Sequence, residues 1–349
     1  LTLSEEIEEV LQFSLAPSAM ISVSGSEWIV GLDQQEKPAM RAAKVLKSGE
    51  VVPYPSSEFN AADASAGLSL DAVESVKLSS EGIAWLLDNG RRSETLPKLV
   101  GWDIAKNALH RVIYLPPPAV IPGSFCSALA LDPTAPFAYI ADPANGKDAA
   151  IIIVHLQTGL CRRILPGATC MQPELSVLLS DSITSGRGTL RIDGTATLPH
   201  CGVNALAIDR KGEWLYYTAL QSSNLYRLPG TLLRTNDVSN EDLEQARETF
   251  ASKPPSLGLA IDSKNNLYLG DLAARAIGYI DGKDRSYRPL VADVRLVWPD
   301  GLTFGQDGKL YFYSANRFPA PASPGRLRTN KPSFSLFRLR TPASGRAGD

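Results

Sequence analysis

The 349-residue chain holds three histidines and four cysteines. Few of its polar residues stand where chemistry would need them. His200, in Leu198-Pro-His-Cys-Gly202, immediately precedes a short apolar run. Imidazole titrates near neutral pH, so His200 is the best-placed general acid or base. Glu74, Asn204 and Asp300 each head a comparable apolar run. A carboxylate there can move a proton, and an amide can hydrogen-bond a developing charge. Ser127 and Leu257 head two further runs of the same kind. Each polar candidate also has a plainer reading: Asp300 as a turn cap after Pro299, Asn204 as a backbone-bonded amide, Glu74 as a surface carboxylate, His200 as a loop histidine bonded to a carbonyl. Ser127 lies in no Gly-x-Ser-x-Gly elbow, so the residues around it give little support for a hydrolase nucleophile. His110 and His155 fall inside strand-like runs and read as structural.

The cysteines, Cys126, Cys161, Cys170 and Cys201, form no Cys-x-x-Cys pair, which argues against a zinc knuckle or a thioredoxin-type motif. The even count permits two disulfides, Cys161 to Cys170 and Cys126 to Cys201. The simpler expectation is four buried thiols.

The elements that must position these residues repeat along the chain. A short alternating strand, a polar turn with Asp or Gly, and a second strand with an aromatic recur six times. Ser127-Ala-Leu-Ala-Leu-Asp132 leads to Phe137-Ala-Tyr-Ile-Ala-Asp142, and Asn204-Ala-Leu-Ala-Ile-Asp209 leads to Trp214-Leu-Tyr-Tyr217. The aromatics Trp28, Trp85, Tyr139, Tyr216, Tyr268 and Tyr311 mark six units, spaced by roughly 40–80 residues, the size of propeller blades with insertions. Further runs, such as Lys98 to Asp103 with Arg111 to Leu115, supply third and fourth strands. The expected fold is therefore all-β: a six-bladed β-propeller with four-stranded blades, in one domain over 1–349. The blades fall at about 16–70, 71–118, 119–198, 199–252, 253–297 and 298–340. Residues 8–16 should close the ring against Ser333 to Arg340, since an open sheet edge is a liability. One helix is expected from Asn240 to Phe250, capped by Ser239. The turn residues Asp132, Asp209, Asp262 and Asp307 are assigned no chemistry. In such a ring the heads of the innermost strands, Ala19, Glu74, Ser127, Asn204, Leu257 and Asp300, occupy one equivalent slot around the axis. Rim and wall positions for binding substrate are Asp88, Asn89, Arg91, Trp298, Asn316 and Phe318.

The charge balance, 35 basic against 37 acidic residues for a net of -2, argues against a nucleic-acid partner. The longest strongly apolar run, Ala149 to Leu156, is far short of the roughly 20 residues of a membrane span. The chain begins at Leu1, which leaves open a secretory route with a leader already removed. No Asn-x-Ser/Thr sequon supports that route.

Trp85-Leu-Leu-Asp-Asn-Gly90, Pro97-Lys-Leu-Val-Gly-Trp-Asp103, Arg111-Val-Ile-Tyr-Leu-Pro116 and Trp298-Pro-Asp300 together resemble the Yellow/major royal jelly protein family, and in particular its microbial, gluconolactonase-like members, over about residues 15–340. The resemblance implies a six-bladed propeller with one axial pocket. It also implies functions ranging from lactonases and dopachrome-converting enzymes to ligand carriers, so the fold does not fix the activity. In lactonase-like relatives the axial ring gives Asn, Asp and Glu oxygens to a divalent cation, commonly calcium. Glu74, Asn204 and Asp300 would be the ligands here. This chain departs from that pattern with Ser127-Ala128 and Leu257-Gly258, so no cofactor is favoured. The leading expectation is metal-independent cyclisation or isomerisation, of the hetero-Diels–Alder type for example, acting on a small hydrophobic natural product. A metal-dependent lactonase and a non-catalytic ligand-binding protein are the alternatives.

Overall fold

Apolar residues bury the inner and middle strands of each sheet against neighbouring sheets, while outer strands such as Ala108–Tyr114 stay largely exposed. The result is six antiparallel four-stranded sheets around an axis, a six-bladed β-propeller. The computed structural model describes residues 4–13, 15–34, 37–61, 68–174, 201–315 and 334–349. The innermost strands of blades 1 to 6 are Pro17–Ser24, Val73–Leu78, Ala128–Leu131, Val203–Ile208, Ser256–Ile261 and Pro299–Phe304. The core lies between blades. Tyr139, Ile151 and Val203, for instance, bury against one another across blades 3 and 4.

The ring closes as the need to remove an edge predicts. Strand Ile7–Phe13 pairs antiparallel with Phe334–Leu339, so the chain's first strand is the outermost strand of blade 6. Arg338 clasps Glu8 through two nitrogens, at 2.6 and 2.9 Å. Ser4 N donates to Asp293 Oδ2 at 2.6 Å and ties the same end to blade 5.

The turn aspartates serve the fold. Asp132 accepts the Thr134 and Ala135 amides and the Tyr139 hydroxyl. Asp262 likewise accepts the Lys264 and Asn266 amides and the Tyr268 hydroxyl, and Asp307 the Lys309 amide and the Tyr311 hydroxyl. The tyrosine that marks each of these blades is thus fastened to the turn that precedes it.

The expected helix is shorter than its pattern. It spans Asn240–Ala246, with a capping box between Ser239 and Asp242, and Glu248–Ser252 is instead the outer strand of blade 4. That strand wins because Arg227 binds Glu248 at 2.6 Å, while Phe250 buries edge-on against Tyr216 at 5.0 Å. All four cysteines are free thiols.

Residues 341–349 run past the ends of the inner strands. Gly348 N and Phe304 O, and Phe304 N and Asp349 O, bond at 3.1 and 3.2 Å. Ser263 N bonds Ser344 O at 3.1 Å, and Arg210 Nε lies 3.6 Å from an Asp349 carboxylate oxygen. Arg346, Gly348 and Asp349 face inner-strand residues of blades 2 to 5, so this segment lies across the far mouth of the axial channel.

Candidate functional site

Five of the six inner strands carry a β-bulge near their heads. A bulge adds one unpaired residue and re-aims side chains. In blades 1, 2 and 4 the extra residues are Ser18, Glu74 and Asn204. In blades 5 and 6 the bulges fall at Gly258 and Gly301, whose φ values of +63° and +62° favour glycine. A Cβ on Gly301 would collide with the Tyr313 ring.

The bulges gather the predicted ring. Glu74, Ser127, Asn204, Leu257 and Asp300 all line one axial cavity of about 800 Å³. Strand register corrects the sixth slot: Pro17 pairs with Leu32 as Val73 pairs with Asp88, which makes Ser18, not Ala19, the equivalent of Glu74. Both Ser18 and Ala19 line the cavity. The Ser18 hydroxyl donates to Val73 O at 2.5 Å.

Two residues further along each strand lies an apolar belt that sequence reading did not identify: Met20, Val76, Leu129, Leu206, Leu259 and Leu302. The period of two along a strand explains it, and applying that period to the slot residues would have found it. Deeper still, Lys77 lines both the cavity and the space above residues 341–349.

The polar ring holds an unusual feature. Ser127 Oγ and Asn204 Oδ1 are buried and have no hydrogen-bond partner among the described residues. Buried polar atoms are almost always paired, and leaving one unpaired costs about 1–3 kcal/mol. Asp300 Oδ1 accepts its neighbour Gly301 N at 2.7 Å. Cys201 also lines the cavity. Burial pushes its thiol up to about 12, so it stays protonated and is a poor nucleophile at neutral pH.

Several expected site residues stand elsewhere. Asp88 and Asn89 are buried, at 0% and 1% exposure, and do not line the cavity. Asp88 accepts the amides of Asp71, Ala72 and Gly90 and pairs with buried Lys98 at 2.9 Å. It anchors the linker that enters the blade 2 inner strand. Asp142 does the same in blade 3, holding Ser124 and Phe125 N and pairing with Arg163. These carboxylates set Ala72 and Phe125 at the cavity wall without reaching it themselves. Trp298 is buried outside the cavity lining, its amide bonded to Ser314 Oγ at 3.3 Å. Arg91 does line the mouth, joined by Asp33, Gln34, Lys37 and Arg92, which sequence reading missed because they lie on loops without a repeat signal. His110 packs edge-on to Trp85, and His155 Nδ1 accepts the Gln157 and Thr158 amides. His200, Asn316 and Phe318 lie outside the described residues.

Calcium takes six to eight oxygens, several of them from carboxylates. The ring offers two carboxylates, Glu74 and Asp300, the amide oxygen of Asn204, and the hydroxyls of Ser18 and Ser127, with Leu257 closing the sixth slot. Among the described residues, no group of three or more His, Cys, Asp or Glu side chains is placed to hold a metal ion. Asn204 Oδ1 fits a cation as a ligand; the set as a whole is poor in charge.

The family model for major royal jelly proteins matches residues 73–340. No curated protein matches the chain in sequence. Solved structures of similar fold include a luciferin-regenerating enzyme, 10% identical over 98% of this chain and 97% of that one, with a TM-score of 0.58. They also include a regucalcin from Agrobacterium tumefaciens, described as calcium-binding, at 11% identity over 97% of both chains and a TM-score of 0.57. A gluconolactonase from Xanthomonas campestris is 11% identical over 93% of this chain and 87% of that one, with a TM-score of 0.53. At these identities the likeness is one of fold. No helix among the described residues is long and apolar enough to cross a membrane.

Proposed function

The chain belongs to the major royal jelly protein family, and from that premise we propose that its axial cavity is the active site of an enzyme that isomerises or cyclises a small, largely apolar molecule without a resident metal. The observation that carries this reading is the pair of unpartnered buried atoms, Ser127 Oγ and Asn204 Oδ1, of two residues that line a cavity with an apolar belt below them. Polar atoms left unpaired at a cavity wall are compensated when a ligand pairs them.

The chemistry follows from the layers. The belt of Met20, Val76, Leu129, Leu206, Leu259 and Leu302 holds a hydrocarbon body in one shape, and orientation alone lowers a cyclisation barrier substantially. The Ser127 hydroxyl can donate to an oxygen on which charge develops, and Asn204 Oδ1 can accept from a substrate hydroxyl. The Glu74 or Asp300 carboxylate can take a proton from a carbon beside a carbonyl and return it elsewhere on the same molecule. Such a transfer balances without any co-reactant.

A second reading, divalent-metal-assisted lactone hydrolysis, is favoured by the unpartnered Asn204 Oδ1 on the same ring as two carboxylates. Glu74, Asn204 and Asp300 would hold the ion, which when bound supplies Lewis acidity toward a lactone carbonyl. The poverty of the donor set weighs against it.

The test is a panel of lactones and of unsaturated ketones and dienes, incubated with the protein with and without a chelator and read by chromatography. Conversion of an unsaturated substrate that survives chelation and falls in Glu74→Gln or Asp300→Asn supports the first reading. Lactone hydrolysis abolished by chelation and restored by calcium supports the second and sinks the first.

A further inference from the structure

The upper wall of the axial cavity is positively charged on one side. Lys37, from the loop after the second strand of blade 1, and Arg91 and Arg92, from the equivalent loop of blade 2, all line the mouth and are exposed. Among the described residues, the side-chain bonds in this group run from Arg92, to Gln34 Oε1 at 2.8 Å and Pro38 O at 3.2 Å. None of the three forms an ion pair among the described residues. Buried Arg41 lies near them; burial lowers its pKa, and the charge of Arg92 pushes the same way. Two nearby acids are engaged in holding the chain: Asp71 Oδ2 accepts the Arg92 and Ser93 amides, and Asp88 is paired with Lys98. Asp33 also lines the mouth, buried at 7% exposure, so the cations outnumber it there three to one.

Along the axis the layers therefore run from exposed cations at the mouth, through the ring of Ser18, Glu74, Ser127, Asn204 and Asp300, to the apolar belt. The belt lies two residues below the ring, about 6–7 Å along the strands. Residues 341–349 lie across the far end. Among the described residues the tube carries cations at its mouth and an apolar belt below the ring, so it has a polarity, and so must its occupant.

We infer that the ligand is an amphiphilic organic anion seated head-up: an acidic group meets Lys37, Arg91 and Arg92 at the mouth, and an apolar body passes the polar ring to rest against the belt. This rests on the axial cavity being the ligand site, and it adds the ligand's charge and orientation. Guanidinium groups pair well with carboxylate, sulfonate or phosphate oxygens. The apolar body gains from leaving water.

Two fluorescent dyes with one skeleton test this. Anilinonaphthalene sulfonate carries the acidic group, and N-phenylnaphthylamine lacks it. The wild-type protein is expected to bind the sulfonate about tenfold more tightly at low salt, as a charge-assisted hydrogen bond implies, and added salt should shrink the difference. In the triple variant Lys37→Ala, Arg91→Ala, Arg92→Ala, the preference should fall to about twofold or less while the neutral dye binds as before. Equal binding of both dyes by the wild type, or a preference that persists in the triple variant, overturns the inference. Leu257→Trp, which fills the ring, should weaken both dyes. Unchanged binding of both by a folded Leu257→Trp protein would place the dyes outside the cavity and remove the site reading too. Equal binding of both dyes by the wild type, with both weakened by Leu257→Trp, removes only the inference about the ligand.

Discussion

Lys77 Nζ donates a 3.1 Å hydrogen bond to the main-chain oxygen of Gly348, so a residue at the base of the cavity is fastened to the segment that crosses the channel beneath it. Burial lowers the Lys77 pKa and the nearby Asp349 acts in the opposite direction. Deleting residues 341–349 removes this bond, the pairing with Phe304 and the Arg210 contact. The expected loss is about 4 kcal/mol of stability, at roughly 1 kcal/mol for each of the four hydrogen bonds that tie the segment to Lys77, Phe304 and Ser263, together with faster dye dissociation through the opened far mouth. Denaturant titration and stopped-flow fluorescence measure both. A truncated protein with unchanged stability and dissociation rate would show that the segment closes nothing.

Ser127→Ala separates function from stability. Ser127 Oγ has no partner among the described residues, so its removal should leave stability unchanged or raise it by up to about 1 kcal/mol. Ligand affinity should fall about tenfold, the loss of one hydrogen bond to a buried polar group. Thermal melts and binding titrations on the same samples check the pair of effects. A clear drop in melting temperature would mean that the hydroxyl has a structural partner.

Lys98→Met should destabilise by about 3–5 kcal/mol, because it strands the buried Asp88 carboxylate. Activity per folded molecule should change little, since neither residue lines the cavity. Stability near wild type, or a large fall in activity of the folded protein, would contradict the anchoring role given to Asp88.

Lys253 is buried in the linker between blades 4 and 5, and its amine donates to Pro254 O at 3.1 Å. Burial lowers its pKa to about 7, whereas a lysine in the unfolded chain titrates near about 10.4. Between those values the unfolded state binds the extra proton, so stability should rise with pH across that window and level off outside it. Lys253→Met should remove this rise. Urea midpoints measured across the window would decide it, and parallel pH profiles for the two proteins would refute it.

The ring of blades was legible because a strand's period of two and an aspartate turn leave a repeated mark. Asp132 with Tyr139 and Asp262 with Tyr268 are that mark in three dimensions. The same repetition brought Glu74, Ser127, Asn204, Leu257 and Asp300 to one cavity. What sequence could not show was bulge placement, which moved the first slot from Ala19 to Ser18. Nor could it distinguish a rim acid from an anchoring one. Asp88 ends an aromatic strand at a position expected of a pocket residue, yet three amides and Lys98 claim it. The helical pattern ran past Ala246 because local propensity does not see Arg227, on the next strand, waiting for Glu248. Lys37 and Arg92 went unnoticed because loops carry no period.

The most direct measurement is high-resolution crystallographic density in the axial cavity, from crystals grown in the presence of calcium. The predicted result is water or an organic ligand hydrogen-bonded to Ser127 Oγ and Asn204 Oδ1, above the apolar belt. A cation held by Glu74, Asn204 and Asp300, at the calcium–oxygen distances of about 2.3–2.6 Å, would contradict the metal-independent reading and return the site to a metal-assisted hydrolase.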